Sequence, residues 1–277
     1  VYSSIVETDW TLRALTYEDL ADCLKLAADR DWPLEERKWA FLLDNGIGFG
    51  IEDPAGELVG STIVTRYGAE HAAISMVLVA SRCEGRGLGR RLIAHALEVA
   101  DCPVSSLHAT SFGRPLYEKF GFHSAGQVTA HVGQFRGAAL SGTTRSALPA
   151  DLAALARTDA EVFGADRSAL WKAYFRYADQ VRITPSGSFA AAWRNIDSLV
   201  VGPIVAESVD EAKVLVNDLA VGTDTRIRVD VQDAELGAWL TERGVEPRFP
   251  VHLMVRGADN LPGDRARLFA PMMQALG

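Results

Sequence analysis

"CEGRGLGRRLIAHALEVA", residues 83–100, sets Gly85, Gly87 and Gly89 at alternate positions directly before an amphipathic stretch. Leu88, Leu92, Ile93, Ala96, Leu97 and Ala100 recur at helical spacing on one face, while Arg90, Arg91 and Glu98 lie off it. The preceding run, "AAISMVLVA" at 72–80, is apolar and has the length of a buried strand. A strand, a glycine turn and a helix N-terminus together make an anion site. The first amides of the helix have no partner, its dipole adds about half a positive charge, and glycine admits close approach of a phosphate. The same loop also suits a plain turn without a ligand, so the rest of the chain has to decide.

Two common phosphate loops do not fit. A Walker loop requires Lys-Ser or Lys-Thr after its second glycine, and Arg90 stands five residues after Gly85. The dinucleotide fingerprint requires a third glycine where this chain again has Arg90.

The length of 277 residues suits about two domains, each with its own core. A net charge of −8 disfavours nucleic acid as a partner and is compatible with a cationic ligand. Apolar runs are too short to span a membrane, and "VYSSIVETDW" lacks the basic and apolar regions of a secretory signal. Cys23, Cys83 and Cys102 are far apart and form no CxxC pair, which reads as reduced thiols in a cytoplasmic protein without a metal site.

The first half reads β-α-α-β-β-β-α-β-α-β. "TLRAL" is a strand, Thr16 with Asp19 an N-cap signal, and Tyr17–Leu43 two helices broken at Pro33. Two strands flank the Pro54–Gly56 turn, "SSLHAT" is a strand, "GRPLYEKF" a short helix and "FHSAGQVTAHVGQF" a final strand or hairpin. The Gly/Ser/Thr-rich stretch ending near Leu148 reads as a linker. Beyond it come two helices, three strand-like segments, the helix "SVDEAKVLVNDLA", the strand "TRIRVDV", a further helix and the strand "FPVHLMVRG". Residues 116–137 and 240–257 share a helix end with Glu-Lys or Glu-Arg, a glycine, and a strand closing on Arg-Gly, which marks a diverged repeat.

"EGRGLG" at 84–89 and "PLYEKFGF" at 115–122 resemble, in the right order, two recurrent segments of the GNAT acyltransferases. The chain departs from that pattern at Glu84, where Gln or Arg is usual, at Thr110, where Asn is common, and at Gly113, where Ala is common. The second half resembles the degenerate half of tandem GNAT proteins of the YitH-like type. Its loop "AESVDE" carries no glycine and would set Glu207, Asp210 and Glu211 against a pyrophosphate.

The resemblance implies an α/β (α+β) fold of two tandem GNAT-like domains, each a mixed, mostly antiparallel sheet flanked by helices. It implies a catalytic domain at 1–137, a linker at 138–148 and a domain without a coenzyme loop at 149–277. The implied activity is acetyl-CoA-dependent N-acetylation of a small amine by direct transfer, with acetyl-CoA as co-substrate and no metal. A protein N-terminus or lysine as acceptor, and a non-catalytic acyl-CoA sensor, stand as alternatives.

By the same resemblance, Gly85, Arg86, Gly87, Leu88, Gly89 and Arg90 hold the pyrophosphate. Val77, Leu78 and Val79 pair with the pantetheine arm, and Val79 N–H serves the thioester oxygen. Thr110 lines the coenzyme, and Tyr117 protonates the leaving thiolate. Glu70 or His71 relays the amine's proton, with His108 a further candidate. Trp32, Trp39, Asp29, Asp31, Glu35 and Glu36 lie where such proteins select the acceptor, and a carboxylate beside tryptophan suits a cationic amine. Partners are thus a small amine-bearing substrate, with no nucleic acid and no membrane, and a homodimer is left open.

Overall fold

The computed structural model describes residues 10–277, so the opening signal-peptide reading lies largely outside the described residues. The chain divides into two compact units, Val1–Thr65 with Ile74–Asp101, and Arg66–Ala73 with Cys102–Gly277.

The first unit holds β1 (Thr11–Leu15), α1 (Leu20–Asp29), α2 (Glu36–Asn45), β2 (Ile47–Glu52), most of β3 (Leu58–Tyr67) and β4 (His71–Val79), and α3 (Leu88–Ala100). Its strands lie in the order β1-β2-β3-β4, with β1–β2 and β2–β3 antiparallel. Thr16 and Asp19 cap the turn before α1: Glu18 N donates to Thr16 Oγ1, and Thr16 N to Asp19 Oδ2 at 2.8 Å. Pro33 stands between α1 and α2, where a helix has no amide to continue with. From α3, Leu88, Leu92, Ile93, Ala96 and Ala100 are buried, as the helical spacing requires. Each larger aliphatic among them contributes about 1.5–3 kcal/mol by leaving water.

The second unit holds β5 (Val104–Ala109), α4 (Arg114–Glu118), β6 (His123–Gly133), β7 (Arg145–Ser146), α5 (Leu152–Phe163), α6 (Ser168–Tyr177), β8 (Gln180–Ile183), β9 (Phe189–Arg194) and β10 (Ser198–Val205). It continues with α7 (Val209–Ala220), β11 (Arg226–Val231), α8 (Ala234–Glu242), β12 (Val245–Arg256) and β13 (Leu268–Ala270). Here the order is β5-β12-β6-β11-β10-β9-β8-β7, with the first residues of β4 beside β5 and with β13 on β10. Pairs β4–β5 and β10–β11 are parallel, while β12–β5, β12–β6, β11–β6, β10–β9, β8–β9, β7–β8 and β10–β13 are antiparallel. The chain is therefore a mixed α/β fold.

The repeat segments meet one another. β6 and β12 pair antiparallel from Gly133↔Val245 to His123↔Val255. β12 is inserted between β5 and β6, and β6 between β12 and β11. The closing strand of each sequence half thus completes ladders of the other. The core beneath β10 and β11 gathers Leu199, Val201, Leu215, Leu219, Ile227, Val229, Leu236 and Leu240, with Phe135 from the end of the first half. Within 138–148, Asp218 accepts from Ser141 N, Ser141 Oγ and Thr144 Oγ1, and Arg145–Ser146 pairs with β8. Among the described residues, no helix is long and apolar enough to cross a membrane.

Candidate active site

In the first unit, the end of β4 leads into the glycine loop. Val77 and Val79 are half-buried and Leu78 is buried, so alternate side chains face opposite ways. Met76 kinks the strand with φ +52°. Its carbonyl accepts from Ser61 Oγ at 2.8 Å, and that of Ser75 from Thr62 Oγ1 at 3.3 Å, so hydroxyls of β3 hold the kink. The register of β4 with β5 covers His71–Ala73.

A short 3₁₀ turn, Ser81–Cys83, follows β4. Asp29, the last residue of α1, fixes it: Ser81 N donates to Oδ2 at 2.6 Å and Ser81 Oγ to Oδ1 at 2.9 Å. These bonds from Ser81 hold the Asp29 carboxyl below its ordinary value. Gly85 and Gly87 have φ +73° and +78°, a left-handed conformation that glycine adopts without penalty. A Cβ at either position would meet nothing within 4 Å, so both glycines border open space. Gly87 precedes α3 with no side-chain cap, leaving the amides of Leu88, Gly89 and Arg90 free of intrahelical partners. Arg86 lies over the Trp10 ring at 5.9 Å, and Arg91 Nη1 donates to Trp10 O. Arg90 is exposed. Glu84 is bound by Arg30, whose Nη1 is 2.5 Å from Glu84 Oε1.

The expected acceptor-side residues on and between α1 and α2 divide. Trp39 is fully buried, Glu35 is buried and accepts from Lys38 Nζ, and Asp29 is committed to Ser81. Asp31 and Glu36 are exposed, and Trp32 is partly so.

Thr110 and Tyr117 belong to the second unit and flank Gly113. A Cβ at Gly113 would lie 3.1 Å from Tyr117 Cε2 and 3.5 Å from Thr110 Oγ1. Thr110 Oγ1 accepts from Gly113 N, and Thr110 O from Arg114 N, so Thr110 closes the turn that leads into α4. Tyr117 is buried with its ring edge-to-face with Phe122, and burial pushes its phenol up to about 12.

Glu70 and His71, adjacent in sequence, have opposite surroundings: Glu70 is exposed and His71 is fully buried. His71 Nε2 is 2.8 Å from Ser106 Oγ, and its ring stacks on Phe163 at 5.1 Å. Burial, with the charges of Arg265 and Arg167, depresses its pKa to about 3. His108 shares Nδ1 with the carbonyl of Gln274 at 2.7 Å, while its Nε2 is buried without a protein partner. Burial is again the main cause of a pKa depressed to about 4. Around His71, Tyr67 O–H donates to Leu276 O, and Arg167 holds Asp159 through bonds of 2.6 and 2.8 Å. Sequence reasoning missed this cluster, as well as the Met76 kink and the Arg30 partner of Glu84.

The second half has its own strand-loop-helix, β10, Ala206–Ser208 and α7. Ser208 caps α7 by accepting from Glu211 N, and Glu211 accepts hydroxyls from Ser186 and Ser188. Glu207 is paired with Arg267.

The profile of the acetyltransferase (GNAT) family matches residues 13–122, and that of the acetyltransferase (GNAT) domain matches residues 155–270. The chain belongs to the GNAT acetyltransferases. It carries two GNAT domains in tandem and is an acyltransferase by family. It is 28% identical over 276 residues to the "Uncharacterized N-acetyltransferase YitH" of Bacillus subtilis (strain 168), covering 94% of this chain and 96% of that one. Among solved structures, a putative acetyltransferase from Pyrococcus horikoshii shares the fold with a TM-score of 0.81 at 19% identity, covering 100% and 99% of the two chains. A tandem GNAT protein from the clavulanic acid biosynthesis pathway has a TM-score of 0.63 at 14% identity, covering 91% and 100%. The GNAT family profile spans both motifs that suggested the resemblance, the glycine loop and "PLYEKFGF".

Proposed function

We propose that the first GNAT domain transfers an acetyl group from acetyl-CoA to the primary amine of a small molecule. The observation that carries this reading is the loop itself: two left-handed glycines facing open space, directly before an uncapped helix. An added side chain there would occupy the space a pyrophosphate needs, and the free amides of Leu88, Gly89 and Arg90 supply its hydrogen bonds. Gly85, Arg86 and Gly87 complete the loop, and Val77–Val79 offer a strand edge to the pantetheine amides.

In the reaction the amine nitrogen forms its bond to the acetyl carbon as the carbon–sulfur bond breaks. Val79 N–H supports the carbonyl oxygen, and Tyr117 O–H gives its proton to the departing sulfur. The phenol remains protonated through neutral pH because its buried setting disfavours the phenolate. Glu70, exposed beside the start of β4, passes the amine's proton to solvent. Of the two candidates Glu70 fits this step better, since His71 is buried, bonded to Ser106 and kept neutral by its surroundings. Thr110 fixes the turn that presents Tyr117.

Several features support the finer assignments. Asp31 and Glu36 leave negative charge exposed on the first unit, which favours a cationic acceptor. The second GNAT domain offers Glu207, Asp210 and Glu211 where a pyrophosphate would need amides, which supports a single coenzyme site, within 1–137. Three free cysteines suit a reducing cytoplasm. The test is an amine panel scored by free-thiol release with wild type and Tyr117→Phe. Thiol released at one rate whatever the amine, and equally by both proteins, would defeat the proposal.

A further inference from the structure

Two parallel strands that pair over part of their length leave a cleft where they part. In the second GNAT domain, β10 and β11 pair over Ser198–Val201 and Arg226–Val229. Past an irregularity between Val201 and Ile204, β10 takes a new neighbour. Ile204 now faces Ala270 and Val205 faces Leu268, both in antiparallel β13. The same segment bonds on its other side as well, since Gln232 N, one residue past β11, donates to Phe269 O at 3.3 Å. Ala206 N donates to Arg267 O at 3.0 Å, extending the ladder to the loop before α7. β13 therefore lies in the cleft between β10 and β11. Leu268, Phe269, Ala270, Met272 and Met273 are all buried there.

The fit is close. A Cβ on Gly202 would stand 2.3 Å from Pro271 O, and Tyr174 O–H donates to the carbonyls of both Gly202 and Met272. Strand β10, helix α7 and strand β11 follow one another as β4, α3 and β5 do in the first domain. The slot that β13 fills on β10 thus corresponds to the one that Val77–Val79 offer on β4.

We propose that Arg267–Ala270 is a built-in substitute for the coenzyme in the second domain. Leu268–Ala270 runs along β10 as a pantetheine arm would, and the Arg267–Glu207 ion pair closes the start of α7 where a pyrophosphate would sit. The chain then continues to β5 and β3, where Gln274 O accepts from His108 Nδ1 and Leu276 O from Tyr67 O–H. The filled cleft thereby braces the strand that leads to Thr110 and Tyr117. This inference rests on the reading of β4 as the pantetheine track.

Hydrogen–deuterium exchange on the full chain, with and without saturating acetyl-CoA, separates the two. Amides of Ile204–Ala206 and Phe269–Ala270 are expected to exchange slowly without coenzyme and to change less than about twofold when it is added, while Val77–Val79 slow by about tenfold or more. Slowing of Ile204–Ala206 by coenzyme, or fast exchange of both segments without it, overturns the proposal. No slowing at Val77–Val79 sinks the reading of β4 instead. A variant, Gly202→Ala, drives a methyl group into Pro271 O while deleting nothing. Exchange over 268–273 should then accelerate by about tenfold or more, with kcat lowered and KM for acetyl-CoA kept. Unchanged exchange over 268–273 in that variant contradicts the filled cleft.

Discussion

Arg30 Nη1 lies 2.5 Å from Glu84 Oε1, so the acid that departs from the GNAT loop pattern is neutralised by the residue that caps the end of α1. A carboxylate at the mouth of a phosphate loop repels its ligand unless a cation offsets it. Arg30→Ala should therefore weaken acetyl-CoA binding several-fold at low salt, and Arg30→Ala with Glu84→Ala should recover most of the loss. Calorimetry on the two single variants and the double variant measures the coupling. Strict additivity would mean that the pair does not bear on the coenzyme.

Gly87 has space for a side chain but lacks the conformation for one. At φ +78°, alanine costs about 1–2 kcal/mol of folding stability, and its methyl group enters the space proposed for the pyrophosphate. Gly87→Ala should lower the unfolding midpoint by a few degrees, roughly as expected for a chain of this size, and raise the Kd for acetyl-CoA by a larger factor. Gly56 is the control, since it also has positive φ (+81°) and open space but lies in the β2–β3 turn. Gly56→Ala should lose stability alone.

Tyr117→Phe retains the ring packed on Phe122 and removes only the hydroxyl. The expected result is unchanged affinity for acetyl-CoA and a kcat lower by about 10²–10⁴. With the phenol raised to about 12, the wild type should show no alkaline fall in kcat from this group below pH ~10. Equal kcat in the two proteins removes Tyr117 from the reaction.

His71 and His108 make the fold acid-sensitive. Their folded pKa values, about 3 and about 4, lie below the ordinary 6.5. As pH falls through 6.5, the unfolded chain takes up protons that the folded chain refuses. Stability is therefore full above pH 6.5 and declines towards pH 4. Each imidazole costs up to about 1.4 kcal/mol per pH unit in that window. The groups acting on them are Arg265 and Arg167 at His71, and Arg265 and Asp230 at His108. Denaturant unfolding at a series of pH values should show this slope, and His108→Gln should remove about half of it. A flat profile from pH 6.5 to 4.5 contradicts the buried, neutral imidazoles.

Much of this fold is legible in the sequence. The spacing of Leu88, Leu92, Ile93 and Ala96 gives α3 its buried face, and Pro33 separates α1 from α2, because local periodicity and a missing amide act within a few residues. The repeat at 116–137 and 240–257 foretells β6 and β12, but nothing in either segment says that they pair with each other. Partnership between strands more than a hundred residues apart is decided by packing. For the same reason the Met76 kink reads as ordinary strand: the hydroxyls of Ser61 and Thr62 hold it from β3. β13 leaves no signal, since three residues, "LFA", carry no periodicity and gain their structure from the cleft they fill. At the site, glycine conformation can be read from the motif, whereas the opposite surroundings of Glu70 and His71 depend on Phe163 and Ser106 arriving from elsewhere.

The most direct test of the account is a calorimetric titration of acetyl-CoA into the wild type and into Gly87→Glu. One equivalent bound per chain, abolished by the substitution, is the expected result, and it would assign the single coenzyme site to the glycine loop that opens α3. Two equivalents would contradict the filled cleft of the second domain. No binding to the wild type would return Gly85 and Gly87 to the role of a plain turn and remove the basis of the proposed transfer.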